Sequence, residues 1–315
     1  MGRIKKNFFL LIILLLAVVV VEGIARIILA NAYNRNFDAS LIQPNKYNHS
    51  DGLKPNRSGI VWGKNFSTDQ YGGRNTGTSA KARKRKFLFI GDSVTEGVGV
   101  EDEQTFSSIA AKQLPEFDVV NLSLIGYSTQ DYVNVLSAVL SSDSAIELVN
   151  LFYCLNDVYA GAANAELPVM AKQNFWATCS HWLQENISIY KLLKLWYFRN
   201  ADNYYRYDAS FYESSSPYFQ KAMQQLSVCD SLCKEKNIFF NVILLPYRSQ
   251  LGNTYDTATT PQKFVRTYFE QHEISYNDAL DFFREEENPA ALYLFADEIH
   301  LSEKGHQKMA SFLVE

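Results

Sequence analysis

At 315 residues the chain has room for one large domain, or for one domain carrying an insertion. Hydrophobic residues make up 47% of it, ample for a packed core, and the formal net charge is only −4, so nucleic acid is not an expected partner. The four cysteines fit no zinc spacing, and no metal is expected.

In chain order, Arg3, Lys5 and Lys6 precede an uninterrupted apolar run from Phe8 to Val21. Glu22 and Arg26 follow, and apolar character resumes to Ala30. Phe8 to Ala30 is long enough to span a bilayer, which takes about 20 residues, provided Glu22 and Arg26 sit at or beyond the outer interface. Residues 1–30 are therefore read as an uncleaved membrane anchor. The basic start places the N-terminus in the cytoplasm and exports the rest to the periplasm or the cell exterior. The rival is a cleaved signal peptide, since Ala30-Asn31-Ala32 resembles a signal peptidase site. That tripeptide lies past the end of the apolar run, with two charges between. Residues 31–86 are polar and turn-rich and read as an extended stalk packing on the domain edge. They end in a basic run, Lys81-Ala82-Arg83-Lys84-Arg85-Lys86, which has no interleaved aromatics and reads as a solvated linker.

From residue 87 strands and helices alternate. Strands are expected at 87–90, 119–122, 148–153 and 238–245, with a weak fifth at 274–278. Helices are expected at 105–113, 131–140, 219–236, 261–271 and 302–313, the last capped by Ser302 with Met309, Phe312 and Leu313 on one face. Such βα alternation implies a parallel sheet covered by helices on both faces. An insertion at about 158–218 carries Trp176, Trp182, Trp196, Tyr197, Tyr204, Tyr205, Tyr207 and Tyr212. It reads either as a helical subdomain with its own core or as a lid beside a ligand site. Cys154 ends a buried strand, and export would permit Cys179 to pair with Cys229 or Cys233.

The chemistry concentrates on loops after the strands. The first strand runs into Gly91-Asp92-Ser93, at the carboxyl end where parallel sheets bind ligands. A serine there serves as a nucleophile if it has a base, an orienter and oxyanion donors. Of five histidines, His300 alone falls on a βα-type loop after the last sheet segment, with Asp297 three residues earlier to fix its tautomer. His306 reads as solvent-facing. Gly126, after the second strand, brings a backbone N–H close to a substrate oxygen, and Asn156, after the third, offers a neutral side-chain donor.

In these four blocks, Gly91-Asp92-Ser93, Gly126, Asn156-Asp157 and Asp297-x-x-His300, the chain resembles the SGNH (GDSL-like) hydrolases over residues 87 to 315. The anchor, Gly52-Leu53-Lys54-Pro55-Asn56 and Tyr71-Gly72-Gly73-Arg74 resemble the membrane-anchored bacterial members. The third block departs from the family's Gly-x-Asn-Asp, with Cys154 in place of Gly. The resemblance implies a three-layer α/β/α, flavodoxin-like parallel sheet. It implies Ser93 as nucleophile, His300 as base and Asp297 as its orienter. The Ser93 N–H, the Gly126 N–H and the Asn156 side chain would form the oxyanion hole. No cofactor is implied. The expected activity is a serine esterase removing acetyl or short acyl groups from an exported or envelope glycan or another small ester. An O-acyltransferase to a glycan hydroxyl, a lipase or lysophospholipase, and a catalytically retired binding module are the alternatives. A phosphate-binding flavodoxin-like protein is disfavoured because Gly91–Gly99 lacks the Lys-Ser/Thr of a phosphate loop. N-terminal sequencing of the mature protein tests the anchor: retention of the apolar run is expected, and a start at Tyr33 would overturn it.

Overall fold

The structure, a computed structural model, describes residues 2–47, 51–77, 85–158, 175–197, 201–252 and 259–314. The chain opens with helix α1 (Gly2–Ala32). Two antiparallel pairs follow, β1 (Ile42–Pro44) with β2 (Asp51–Leu53) and β3 (Ser58–Val61) with β4 (Lys64–Ser67). Then come β5 (Lys86–Ile90), the one-turn helix α2 (Ser93–Glu96), α3 (Phe106–Gln113), β6 (Asp118–Asn121), α4 (Thr129–Ser142) and β7 (Ile146–Tyr153). Next are α5 (Phe175–Asn186), α6 (Ser188–Tyr197), α7 (Ala201–Ala209), α8 (Pro217–Lys234) and β8 (Phe239–Leu244). The chain closes with α9 (Arg248–Leu251), α10 (Thr260–Gln271), β9 (Tyr276–Asp278), α11 (Leu280–Arg284) and α12 (Glu303–Phe312).

Strands β6-β5-β7-β8-β9 form one parallel sheet in that order. In order of appearance this is 2-1-3-4-5, the flavodoxin-like winding, whose ligand crevice opens where the winding reverses between the first and third strands. Here those are β5 and β7. The inner strands read as nearly continuous apolar runs, broken by Asn150 and Asn241, because helices cover both faces: Leu88, Phe89, Ile90, Val149, Leu151, Phe152 and Tyr153 are all buried. Side-chain caps start the helices. Thr105 accepts from the Ser108 N–H, Ser216 from Phe219 with Pro217 at the first turn, and Ser302 from Gly305.

Two compact units emerge, one from Met1–Asn34 and Ala165–Asn200, the other from Arg35–Asn164 and Ala201–Glu315. In the first, Lys6–Ala32 is long and apolar enough to cross a membrane, with a mean hydropathy of 3.0. Glu22, assigned by sequence to the outer interface, caps another helix: its carboxylate accepts from the Ser188 N–H (2.8 Å) and the Ile189 N–H (3.0 Å) at the start of α6. It also pairs with Arg26. Ala25 and Leu29, one helical turn apart, are the buried positions among the described side chains of α1.

In the second unit, the segment expected to be an extended stalk folds into the two hairpins. Leu41, Leu53, Val61 and Phe66 join the main core. Of the basic run, Lys81 to Lys84 lies outside the described residues; Arg85 pairs with Glu147 and Lys86 with Asp143. The aromatic insertion divides. Residues 159–174 lie outside the described residues, as do the side chains of Trp196 and Tyr197. Trp176 and Trp182 on α5 are exposed, whereas Tyr205, Phe211 and Tyr212 belong to the main core. Tyr212 is there because its hydroxyl has partners: it donates to the Leu155 carbonyl (2.8 Å) and meets the Tyr153 hydroxyl (2.7 Å). All four cysteines are free, so neither open disulfide forms; Cys229 and Cys233 face the core from α8.

The side of α12 that packs on α3 also differs from expectation. His306 is buried, with Gly305, Met309 and Ala310. Its Nδ1 accepts the Phe106 N–H (3.2 Å), which satisfies one of the two ring nitrogens in the core. Phe106 packs between this ring and those of Phe89 and Phe152. Phe106→Ala should cost about 3–5 kcal/mol of unfolding free energy, read as a lower denaturant midpoint.

Candidate active site

At the end of β5 the chain turns sharply into α2. A Cβ at Gly91 would run into the Thr95 side chain and lie 3.1 Å from the Phe152 carbonyl oxygen, so only glycine fits. Asp92 caps α2 by accepting from the Val94 N–H (2.9 Å). Ser93 then occupies the first helical position, where its own N–H has no intrahelical acceptor.

On the 294–302 loop, Asp297 Oδ1 accepts the Ile299 N–H (3.0 Å) and the His300 N–H (2.9 Å). His300 Nδ1 lies 2.9 Å from both carboxylate oxygens, which places its proton there and leaves Nε2 to accept. Ser93 Oγ is 2.9 Å from that Nε2 and donates to it. The three side chains thus form one hydrogen-bonded chain from elements 207 residues apart. Burial would raise the Asp297 carboxyl, but the charge and hydrogen bonds of His300, with Arg35 beyond, hold it well below the usual carboxylate range. Arg35 Nη2 donates to Asp297 Oδ2 at 2.7 Å, a contact sequence reasoning did not anticipate.

The two loops expected to carry oxyanion donors reach the same turn. Leu124 N–H donates to the Gly91 carbonyl (3.3 Å), and Ile125 N–H donates to Glu96 Oε2 (2.7 Å). Between these anchored residues and the buried Tyr127 sits Gly126, exposed, with φ +82°. A Cβ there would meet nothing, so the need for glycine is conformational. Asn156 is half-buried in a single 3₁₀ turn, Leu155–Val158, close enough to Asp92 to favour its charged form. Its neighbour Asp157 is structural, accepting from the Cys154 N–H (2.9 Å) and the Tyr132 hydroxyl (2.8 Å).

The other histidines lie elsewhere. His49 is outside the described residues, His181 is exposed beside Glu185, and His272 stacks on Tyr268. Burial drives His306 down to about 3, so it is neutral at any ordinary pH. Among the described residues no group of three or more His, Cys, Asp or Glu side chains is arranged to hold a metal ion. The arrangement suits acyl transfer: an activated hydroxyl, a base with fixed tautomer, and N–H groups on adjoining loops.

The family model described as GDSL-like lipase/acylhydrolase matches residues 87–313. No curated protein matches the chain. Among solved structures, a member of the lipolytic protein G-D-S-L family from Veillonella parvula is 14% identical, covering 73% of this chain and 96% of its own, with a TM-score of 0.46. An acetylxylan esterase from Geobacillus stearothermophilus is 20% identical, covering 73% of this chain and 92% of its own, with a TM-score of 0.45.

Behind Ser93, burial pushes the Glu96 carboxyl from 4.5 up to about 8, although the Ile125 N–H and the Arg74 cation pull it down. The folded protein therefore keeps a proton that the unfolded chain releases above 4.5. The stability so gained is full below 4.5 and is lost as pH rises through about 8. Glu96→Gln keeps an acceptor for Ile125 and removes the titration. Its unfolding free energy, from denaturant series at several pH values, should fall less than that of the wild type between about pH 5 and about pH 8. An unchanged slope would refute the assignment.

Proposed function

Because this chain belongs to the GDSL-like lipase/acylhydrolase family, we propose that it is a serine ester hydrolase working through an acyl-enzyme on Ser93. The observation that carries this reading is the unbroken hydrogen-bond chain from Asp297 through His300 to Ser93. Ser93 Oγ attacks the ester carbonyl carbon while His300 Nε2 takes its proton. Asp297 keeps the imidazole in register and offsets the positive charge that forms on it. The carbonyl oxygen, now an oxyanion, is received by the Ser93 N–H, the Gly126 N–H and the Asn156 amide. Collapse of the tetrahedral intermediate expels the alcohol, which recovers its proton from His300. Water, deprotonated by the same Nε2, then attacks the acyl carbon and releases the acid and free Ser93.

The proposed substrate is an acetyl or short acyl ester on an exported or envelope glycan. Support comes from α1, long and apolar enough to span a bilayer, and from Arg3, Lys5 and Lys6 before its apolar run. A cytoplasmic N-terminus would put the ester-cleaving domain outside. Ser93→Ala should lower kcat on a short-chain aryl ester by at least about a thousandfold. It should also end labelling by a fluorophosphonate probe; retained turnover would overturn the reading. Incubation with an acylated glycan and a glycan acceptor should yield only free acid, and acyl transfer to the acceptor hydroxyl would replace the hydrolase with a transferase.

A further inference from the structure

The Asp297 carboxylate draws most of its donors from its own loop. The N–H groups of Ile299 and His300 and the His300 ring all lie within three residues of it and move with it. Arg35 is the exception, 262 residues away and held on a different part of the fold. Its Nη2 donates to Oδ2 at 2.7 Å, and the Arg35, Asp297 and His300 side chains are only 24%, 11% and 13% exposed. An ion pair so sheltered is weakly screened.

What holds Arg35 is a strained turn. Trp62 and Gly63 join β3 to β4 with φ of +51° and +77°. Two positive φ values are the signature of the two-residue I′ turn, which takes Asn, Asp or Gly at its first position. A tryptophan there costs roughly 1–2 kcal/mol of backbone strain. Such strain persists when something over-determines it, and it concentrates at functional sites. The Trp62 N–H donates to the Asn36 carbonyl (2.7 Å) and Val61 bridges Phe37, which ties the turn to the residues next to Arg35. The indole lies beneath the guanidinium, 4.0 Å from ring centroid to Cζ, and meets the His300 ring edge-on at 4.7 Å. An Asn or Gly at this position would make neither contact.

We propose that the segment before the family domain completes the site: Arg35 is a positioning residue that locks the Asp297 carboxylate against the His300 imidazole, and Trp62 buttresses both Arg35 and that ring. This rests on the reading of Ser93, His300 and Asp297 as the catalytic chain. Without Arg35 only the 297–300 loop itself holds the carboxylate and its imidazole, and Nε2 spends less time aligned with Ser93 Oγ. The cost falls on the chemical step rather than on substrate binding.

The test uses the full-length protein and a short-chain aryl ester. Arg35→Ala should lower kcat roughly ten- to a hundredfold with KM within about twofold of the wild type, because misplacement alone costs up to about that much. Millimolar guanidinium should restore part of the loss, which it would not do for a misfolded enzyme. Arg35→Lys, keeping charge but not the planar fork, should fall between. Trp62→Asn, suited to the turn, should lower kcat without loss of thermal stability. Should Arg35→Ala fail to fold, Arg35→Gln gives the same readout with nearly the same side-chain length. Wild-type kcat in the Arg35 variants, or a loss that guanidinium does not relieve, overturns the proposal. Activity retained by Ser93→Ala would instead overturn the underlying assignment.

Discussion

The close approach of the chain to itself at the end of β5 is the constraint on which the site depends. Gly91 has no room for a Cβ between Thr95 and the Phe152 carbonyl, so the turn is tight enough to bring α2 directly onto the end of the strand. Ser93 thereby reaches the crevice with an unspent N–H beside its hydroxyl, and the parallel register sets Ile90 opposite Leu151 on β7. The Asn156 turn follows β7 by a few residues, and the Gly126 loop hangs from the Gly91 carbonyl through Leu124. Two neighbouring loops are thus placed by a single turn.

That compactness carries an electrostatic cost. Asp92, Glu96 and Asp157 are all buried near one another, and burial raises each carboxyl above its ordinary value. Donors meet one oxygen of each: Val94 N–H for Asp92, Ile125 N–H for Glu96, and Cys154 N–H with the Tyr132 hydroxyl for Asp157. The Ile125 bond ties the turn to the Gly126 loop and the Tyr132 bond ties the Asn156 loop to α4, so Glu96 and Asp157 act as struts. Asp297, which faces His300 and Arg35, is driven the other way. Opposite shifts thus separate the three buried acids around the turn from the one paired with the His300 ring.

Much of this arrangement was legible in the sequence, for a physical reason. Runs such as Leu148–Tyr153 are apolar on both faces, Asn150 apart, because the sheet is covered twice, and caps such as Thr105 mark where a loop ends and a helix starts. Given a parallel sheet, Ser93, Gly126 and Asn156 fall after its strands on one edge, whereas His300, expected on a βα loop, comes after α11 and a 3₁₀ turn, Pro289–Leu292, that follow β9. His306 was misjudged because Lys304, Gln307 and Lys308 surround it in sequence, whereas its burial depends on a single acceptor for the Phe106 N–H, 200 residues away. Arg35 and Trp62 were missed for the same kind of reason. One is an arginine in a polar stretch, the other precedes a glycine in a hairpin turn, and their meaning comes only from contacts with His300 and Asp297 at the far end of the chain.

The same early segment braces the other flank of Ser93. Arg74, fully buried, reaches from this segment to the carbonyls of Gly97 (3.2 Å) and Val100 (2.9 Å), pairs with Asp102 (2.7 Å) and lies 4.1 Å from the Phe66 ring centroid. The loop after α2 thus turns its carbonyls inward onto a guanidinium instead of onto other backbone. A buried cation is costly unless its donors are met, and removal of its partners would leave that charge stranded. Arg74 therefore makes the loop after Ser93 dependent on residues before β5, as Arg35 makes Asp297 dependent on them. A family domain cut at residue 87 would keep every residue of the four sequence blocks and lose both braces, so the blocks specify the chemistry while the preceding segment specifies its geometry.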